Sequence, residues 1–435
     1  MTTSSVILSE WETRGPESGA PLAGWQFRDR ASHDLAERLT DLGWIEILEL
    51  AQGIELRATS FVGRFSIGDM TITIQPKIQG APFLSLLRYA YGFRQLKLLK
   101  PTAYGSSEWD LCELLVQQLI AEARDLIGRG VHRDYERRTA RLSDLRGRID
   151  FDKYVRTMGT GGAEVPCTYY PRTDDTVLNQ AMLAGLEFAA QQTIDVDLRY
   201  QVNHLVKDLR SSISLRRLSA SLIEDSKDAI DRRTVAYGPL LALIELLYAG
   251  HGLSLDEGGN HIRLSGFLFD MNRFFQALVS RFLHENLEGY VIHDEHKMKG
   301  FFEYEPAHNP RGYPDSVLRP DFAVMDSSRL VTIADAKYRD LWNTRLPQSM
   351  LYQLALYAIA QGNLTRESVI LYPTPSRGAR EQKINVREPI AGHHQARVIL
   401  RQINLIDFEK LIHRSDPAGQ GERNQMASRL VFGSA

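Results

Sequence analysis

The chain has 435 residues, 43% of them hydrophobic and 24% charged, with a formal net charge of −2 and two cysteines, Cys112 and Cys167. That length leaves room for two or three domains with a sizeable core. The cysteine count excludes a disulfide scaffold and a cysteine-rich zinc site. No apolar run is long enough to span a bilayer, and the near-neutral charge excludes DNA binding by bulk charge, so any grip on nucleic acid must come from local patches or from a partner.

Met1–Ser5 lacks the basic and apolar regions of a secretion signal, so a cytoplasmic compartment is expected. Residues 1–104 read as strand-rich. Val6–Leu8 opens them, and Ser32–Leu42 has helical spacing of Leu35, Leu39 and Leu42. Trp44–Leu50, Gly53–Ala58, Phe61–Ile67 and Met70–Ile78 read as strands, with Gly68-Asp69 as a hairpin turn, and a helix starts at Phe83.

Residues 105–260 read as mostly helical. Trp109–Ile127 carries an apolar stripe of Leu111, Leu114, Leu115, Leu119 and Ile120. A basic stretch from Arg129 to Arg148 is interleaved with Asp134, Glu136, Asp144 and Asp150. Its arginine forks suit phosphate, whereas the scattered acids favour a solvated or subunit-contacting face. Asp174-Asp175-Thr176 suits a helix N-cap. Gly159–Gly162 is a flexible loop, and no Gly-Lys-Ser/Thr follows it, nor does a phosphate-binding loop occur elsewhere, so nucleotide hydrolysis is expected of another chain. Leu240–Tyr248 is an apolar helix, and the polar turn Asp256–Asn260 marks a domain boundary.

Residues 261–435 form the third segment. Phe267–Leu287 reads as a helix through Phe267, Phe274, Leu278 and Phe282. His293-Asp294-Glu295-His296 reads as surface, because on a strand its histidines face opposite ways. Leu318–Met325 and Leu330–Lys337 are apolar runs joined by the polar turn Asp326-Ser327-Ser328, which makes a β-hairpin. Asp321 stands near the start of the first strand. Asp335 and Lys337 close the second, two residues apart and on one face. Two acids that meet across a hairpin suit a hard divalent cation, and the lysine puts an ammonium beside the reacting water. Ser349–Gln361 follows as a helix with Gln353 and Tyr357 on one face, then Ser368–Pro373 as a strand. Ser376–Gln382 reads as a polar loop and Asp416–Arg423 as a flexible tract. With its own helix, hairpin and apolar segments, 261–435 is expected to fold without residues 1–100.

Pro320-Asp321 followed by Asp335-Ala336-Lys337 resembles the PD-(D/E)xK nuclease motif, and Gln353-x-x-x-Tyr357 resembles a helix found in many nucleases of that superfamily. A narrower resemblance is carried by Gly63–Asp69, Ile74–Ile78, Phe83-Leu84, Leu145–Asp150, Asp174–Gln180 and Phe267–Phe275. From about Val62 to Ile406 the chain resembles the McrC family. The resemblance implies a mixed α+β fold: a strand-rich, partner-binding 1–104, a largely helical 105–260, and a PD-(D/E)xK endonuclease α/β core in 261–435. It implies a DNA endonuclease subunit that hydrolyses phosphodiesters with Mg²⁺. A partner, a McrB-like AAA+ hexamer that uses GTP, would recognise and translocate modified double-stranded DNA.

In that reading Asp321 and Asp335 hold the metal. Lys337 stabilises or activates the nucleophile, with a pKa expected to fall on burial, and Gln353 and Tyr357 orient the site or contact the DNA backbone. Members of the family often carry an acid where this chain has Gln276, and Asp270 and Glu285 are the nearby substitutes. The Gly68-Asp69 tip is the expected contact with the partner ring, with an ordinary chain-reversing surface turn as the equal alternative. A non-catalytic interaction subunit is the first alternative, opposed by the intact Asp321, Asp335 and Lys337. A partner-independent repair nuclease is the second, opposed by the McrC-like N-terminal half.

Overall fold

The computed structural model describes residues 4–19, 21–78, 80–93, 111–157, 164–251, 265–327, 329–361 and 366–433. The loop expected at Gly159–Gly162, the boundary expected at Asp256–Asn260, Trp109 and Ser328 lie outside them. The protein is mixed α/β and divides into two compact units: Met1–Gly92 with Leu268–Ala435, and Phe93–Phe267. Contacts therefore group the chain otherwise than as three consecutive segments, since the first and last stretches share one unit.

In the first stretch of that unit the elements are β1 (Ser4–Ser9), β2 (Thr13–Arg14), α1 (Arg30–Asp41), β3 (Ile45–Leu50), β4 (Gly53–Ala58), β5 (Phe61–Ile67), β6 (Met70–Gln75) and α2 (Gly80–Tyr91). Asp29 caps α1 by accepting the Ser32 N–H at 2.8 Å, and the helix buries Leu35, Ala36 and Leu39. β2, β4 and β3 form one antiparallel sheet in the order β2-β4-β3. β5 and β6 are antiparallel around the expected turn, where Gly68 has φ +57°, and β1 runs parallel to β6. Met70, Ile72 and Ile74 alternate into the core. The turn is tied into its own unit. Asp69 Oδ1 accepts the Trp25 indole N–H at 3.1 Å, its Oδ2 lies 3.1 Å from the Arg28 guanidinium, and its carbonyl accepts the Ser4 N–H at 3.0 Å.

The second unit comprises α3 (Leu111–Arg129), β7 (Asp134–Tyr135), β8 (Arg138–Leu142), β9 (Arg148–Ile149), α4 (Phe151–Thr157), β10 (Val165–Tyr169), β11 (Arg172–Thr173), α5 (Val177–Gln192), α6 (Val196–Leu209), α7 (Ala220–Asp228) and α8 (Gly238–His251). Leu115, Leu119, Leu183, Leu186, Val202 and Leu243 are among its buried residues. Thr176 caps α5, its Oγ1 accepting the Asn179 N–H at 3.4 Å. Asn179 in turn donates to the His132 and Asp174 carbonyls at 2.8 and 2.6 Å and accepts the Tyr237 hydroxyl at 2.6 Å. The basic stretch, in the region expected to be mostly helical, forms the short strands β7 to β9. In Leu145–Asp150 the glycine is required: Gly147 has φ +69°, and a Cβ there would lie 2.3 Å from the Thr168 carbonyl.

The first unit resumes at Leu268, within β12 (Ser265–Asp270), and continues through α9 (Met271–Asn286), β13 (Val291–Asp294), β14 (Phe322–Asp326), β15 (Arg329–Ala336), α10 (Gln348–Ala360), β16 (Glu367–Pro373), β17 (Gln382–Arg387), β18 (His394–Ile403), α11 (Leu405–Ile412) and α12 (Pro417–Phe432). The helix expected from Phe267 begins only at Met271. Phe267, Leu268 and Phe269 are consecutively buried, as a two-sided strand requires, and Asp270 ends the strand by capping α9 through the Asn272 N–H at 2.8 Å. β12 joins the N-terminal sheet in the order β1-β6-β5-β12. Phe83 of α2 meets Phe274 of α9 with ring centroids 5.4 Å apart.

Next to it stands a mixed sheet in the order β13-β14-β15-β16-β18-β17, in which β15, β16 and β18 are parallel. The tract expected to be flexible at Asp416–Arg423 instead starts α12. Pro417 takes the first helical turn, where its missing N–H costs nothing, and Ala427, Leu430 and Val431 bury the helix.

Candidate active site

The hairpin expected at 318–337 is present as β14 and β15. Its register pairs Phe322 with Ala334; one step further this antiparallel pairing sets Asp321 opposite Asp335. Asp335 and Ile333 share a strand face, and Leu354 and Tyr357 of α10 pack in the same buried cluster as Ile333. On the other face the small Ala334 and Ala336 are buried.

Three charged groups converge at the end of β15. Lys337 Nζ lies 2.9 Å from Asp335 Oδ2 and 3.7 Å from Asp321 Oδ2. The Asp335 side chain is 2% exposed, Asp321 15% and Lys337 28%, so the cluster meets solvent mainly at its lysine end. The Ala336 N–H donates to Asp321 Oδ2 at 2.8 Å, which fixes the acid across the strand end. Asp335 Oδ2 is buried, and the Lys337 ammonium 2.9 Å away answers its charge.

Burial, with the charge of Asp335 added to it, pushes the Asp321 carboxyl up to about 7. Lys337 corrects an expectation. Burial alone would lower its pKa, but Asp335 and Asp321 outweigh that and hold it above the ordinary lysine value. In this arrangement Lys337 is an ammonium and not a base.

Gln353 and Tyr357 are brought to the hairpin in series. The Gln353 amide donates to Tyr357 Oη at 2.7 Å, and the Tyr357 hydroxyl donates to the Arg319 carbonyl at 3.0 Å. Tyr357 is thus a strut for the chain entering Pro320-Asp321. Burial first, then the charges of Asp335 and Asp321, raises its pKa. The substitute acids of the first helix are engaged elsewhere. Asp270 caps α9, and Glu285 pairs with Arg281 at 2.7 Å and accepts the Tyr89 hydroxyl at 2.6 Å.

The donor set fits a small divalent cation. Two carboxylates face one another, the Lys337 ammonium at 2.9 and 3.7 Å already answers their charge with a cation, and Mg²⁺ takes oxygen ligands while keeping waters and substrate oxygens in its other positions.

Residues 56–373 match the family described as McrBC 5-methylcytosine restriction system component. The chain belongs to the McrBC family. No match is found among curated proteins. Among solved structures, a chain of the refined half-complex from the tetradecameric assembly of Thermococcus gammatolerans McrB AAA+ hexamers with bound McrC has a TM-score of 0.57 at 17% identity, over 97% of this chain and 99% of that one. The cryo-EM structure of the Thermococcus gammatolerans McrBC complex has a TM-score of 0.46 at 18% identity, over 65% and 88%. At 17% identity the first likeness speaks to the fold. No helix of the described residues is long and apolar enough to cross a membrane.

In this McrBC-family chain the end of β15 is also held from the N-terminal stretch, by residues that the sequence did not single out. The Tyr338 N–H donates to Asn272 Oδ1 at 3.0 Å, and Asn272 donates to Ser60 Oγ at 2.6 Å. The Tyr338 hydroxyl donates to Glu10 Oε1 at 3.1 Å. Glu10 stands 328 positions from Tyr338, and no local pattern announces the pairing.

Proposed function

We propose that this chain is the DNA-cleaving subunit of a McrBC restriction system, with a PD-(D/E)xK site at the end of β15. The observation that carries the reading is the convergence of Asp321, Asp335 and Lys337 at the end of one hairpin. Asp321 and Asp335 would hold Mg²⁺, which when bound supplies Lewis-acid stabilisation of charge on a phosphodiester and a more acidic water. Lys337 contributes a fixed positive charge at the solvent-facing end of the cluster, where an anionic scissile phosphate must approach. Its raised pKa keeps that charge in place and leaves water activation to the carboxylate side. Tyr357, through the Arg319 carbonyl, sets the position of Asp321, and the exposed Gln353 is free on its outer face to meet a DNA backbone.

A McrB-like AAA+ hexamer is the partner we assign, since the similar solved complex is one of McrB hexamers with bound McrC; that partner would use GTP and recognise modified double-stranded DNA. The segment leaving β15 lines an open groove of about 1020 Å³ with Arg339, Arg345, Trp342 and Tyr352, cations and aromatic rings suited to a nucleic-acid backbone. The rival reading, a non-catalytic interaction subunit, draws on the same ion pairs, because a lysine that neutralises two acids is also a stable structural cluster.

Cleavage decides between them. Asp335→Ala and Lys337→Ala, assayed with the partner, nucleotide and Mg²⁺, are expected to lose at least about a hundredfold in rate, near 2.7 kcal/mol of transition-state stabilisation, with an unchanged circular dichroism spectrum. Full cleavage by folded Lys337→Ala would exclude the hydrolytic assignment.

A further inference from the structure

A cavity of about 270 Å³ opens at the carboxyl ends of β15, β16 and β18, the end of an open α/β sheet at which ligands collect. Tyr338, Pro373, Pro375 and Leu405 give it apolar walls. Glu10 also lines it and is 1% exposed. Its Oε1 is satisfied by the Lys77 N–H at 2.8 Å and the Tyr338 hydroxyl at 3.1 Å. Its Oε2 is buried and has no hydrogen-bond partner. A buried acceptor left unmade costs about 1–3 kcal/mol, so an unexplained one in a native fold points to a missing partner.

Trp11 is the second observation. It has φ +63°, a conformation that bulky residues rarely adopt, and its indole lies against the Arg339 guanidinium, 5.1 Å from ring centroid to Cζ. Backbone strain of this kind persists where the surroundings hold it, and here it keeps a broad aromatic ring on the cavity wall. Charge is the third. Besides Glu10, Lys77 and Arg339 line the cavity with one half-buried acid, Asp340, and Arg339 is shared with the groove that carries Arg345, Trp342 and Tyr352.

We propose that this cavity binds a nucleotide whose base carries an amino group: the base lies among Trp11, Tyr338 and the prolines, its amino N–H donates to Glu10 Oε2, and its phosphate faces Lys77 and Arg339. A purely apolar ligand would leave Oε2 without a partner. A cationic amine would satisfy it but would have to pass Lys77 and Arg339. An amino-bearing base with an attached phosphate satisfies both ends. Thymine does not, because its ring N–H lies between two carbonyls that would face the carboxyl group. The source is either a base of a nucleic-acid strand lying in the shared groove or a free mononucleotide. The inference goes beyond the hydrolytic reading, because binding here requires neither a metal nor a cut.

The test uses the full chain without metal at about pH 8.5, where the Glu10 carboxyl is ionised and Oε2 is an acceptor, titrated with dCMP and with dTMP and followed by saturation-transfer NMR and calorimetry. The expected result is dCMP binding at least about tenfold tighter than dTMP, about 1.4 kcal/mol. Glu10→Gln, which presents an amide in place of the free oxygen, abolishes that preference. Ile406→Trp, at a half-exposed position on the wall, fills the cavity without touching the Glu10 contacts and removes binding of both. Displacement of dCMP by single-stranded oligo(dC) assigns the cavity to a base of a strand, and no displacement assigns it to a free nucleotide. Absence of dCMP binding to the folded wild-type chain, or equal dCMP binding by wild type and Ile406→Trp, would overturn the proposal. Neither result bears on cleavage, which Asp335→Ala and Lys337→Ala test separately.

Discussion

Two buried acid clusters meet the end of β15, and they differ in how their charge is answered. Asp335 and Asp321 have the Lys337 ammonium at 2.9 and 3.7 Å. Glu10 is met by neutral donors, the Lys77 backbone N–H and the Tyr338 hydroxyl, and among the described residues it makes no ion pair. The first cluster is assembled inside one hairpin, with Asp321 fifteen residues from the Ala336 N–H it accepts. The second joins residues 328 apart. A paired cluster can hold its charge in a low-dielectric site and offer it to a cation and an anionic substrate. An unpaired carboxyl is strained by its own ionisation, which suits it to structure and to hydrogen bonding with a neutral group. The contrast separates the proposed chemistry from support on one strand end.

The harshest way to break the comparison is to remove the supporting side. Deleting residues 1–92 takes away Glu10, the Ser60 contact of Asn272 and the strands β1, β6 and β5 that complete the sheet of β12. It also exposes Phe274, which α2 covers through Phe83. The expectation from sequence that 261–435 folds by itself therefore gives way to its opposite. The isolated 268–435 segment is expected to show no cooperative thermal transition by circular dichroism, and a sharp two-state melt would show that the N-terminal stretch is dispensable for this unit.

A milder perturbation acts on Glu10 alone. Burial pushes its carboxyl from 4.5 up to about 7, so between those values the folded state binds the proton more tightly than the unfolded chain does. Its contribution is complete below the unfolded value and is lost as pH rises through about 7. The loss amounts to about 3 kcal/mol. Urea unfolding of wild type should accordingly weaken from about pH 5 to pH 8 relative to Glu10→Gln, which cannot ionise. Parallel pH profiles for the two proteins would mean that Glu10 titrates normally.

The smallest expected effect sharpens the paired side. Tyr357→Phe removes the hydroxyl that bridges Gln353 and the Arg319 carbonyl and keeps the buried ring. A stability loss of about 1 kcal/mol is expected in urea unfolding, with cleavage reduced through a displaced Asp321. An unchanged midpoint with unchanged cleavage would remove Tyr357 from any role in placing the hairpin.

What the sequence made legible follows the same division. Asp321, Asp335, Lys337, Gln353 and Tyr357 lie in one hairpin and the helix after it, where strand alternation and four-residue helical spacing are enough to bring them together. Glu10, Asn272 and Tyr338 were invisible because their contacts span 66 to 328 positions, and no periodicity encodes such pairings. The helix expected from Phe267 overlaps the strand Ser265–Asp270 because a consecutive apolar run fits a buried strand and a buried helix alike. β7 and β9 are two residues long, too short to show alternation. Asp416–Arg423 looked flexible from its glycines, while helix formation there is decided by Pro417 at the first turn and by tertiary burial further along.

The most direct test of the paired cluster needs neither partner nor DNA. Binding of Mn²⁺, a paramagnetic stand-in for Mg²⁺, to the full chain can be followed by electron paramagnetic resonance. Wild type is expected to bind the ion. Asp335→Asn is expected to bind it at least about tenfold more weakly, about 1.4 kcal/mol, and Lys337→Met more tightly, because the competing ammonium at 2.9 Å is gone. Equal Mn²⁺ binding by wild type and folded Asp335→Asn would contradict the assignment of this strand end as the metal-dependent site.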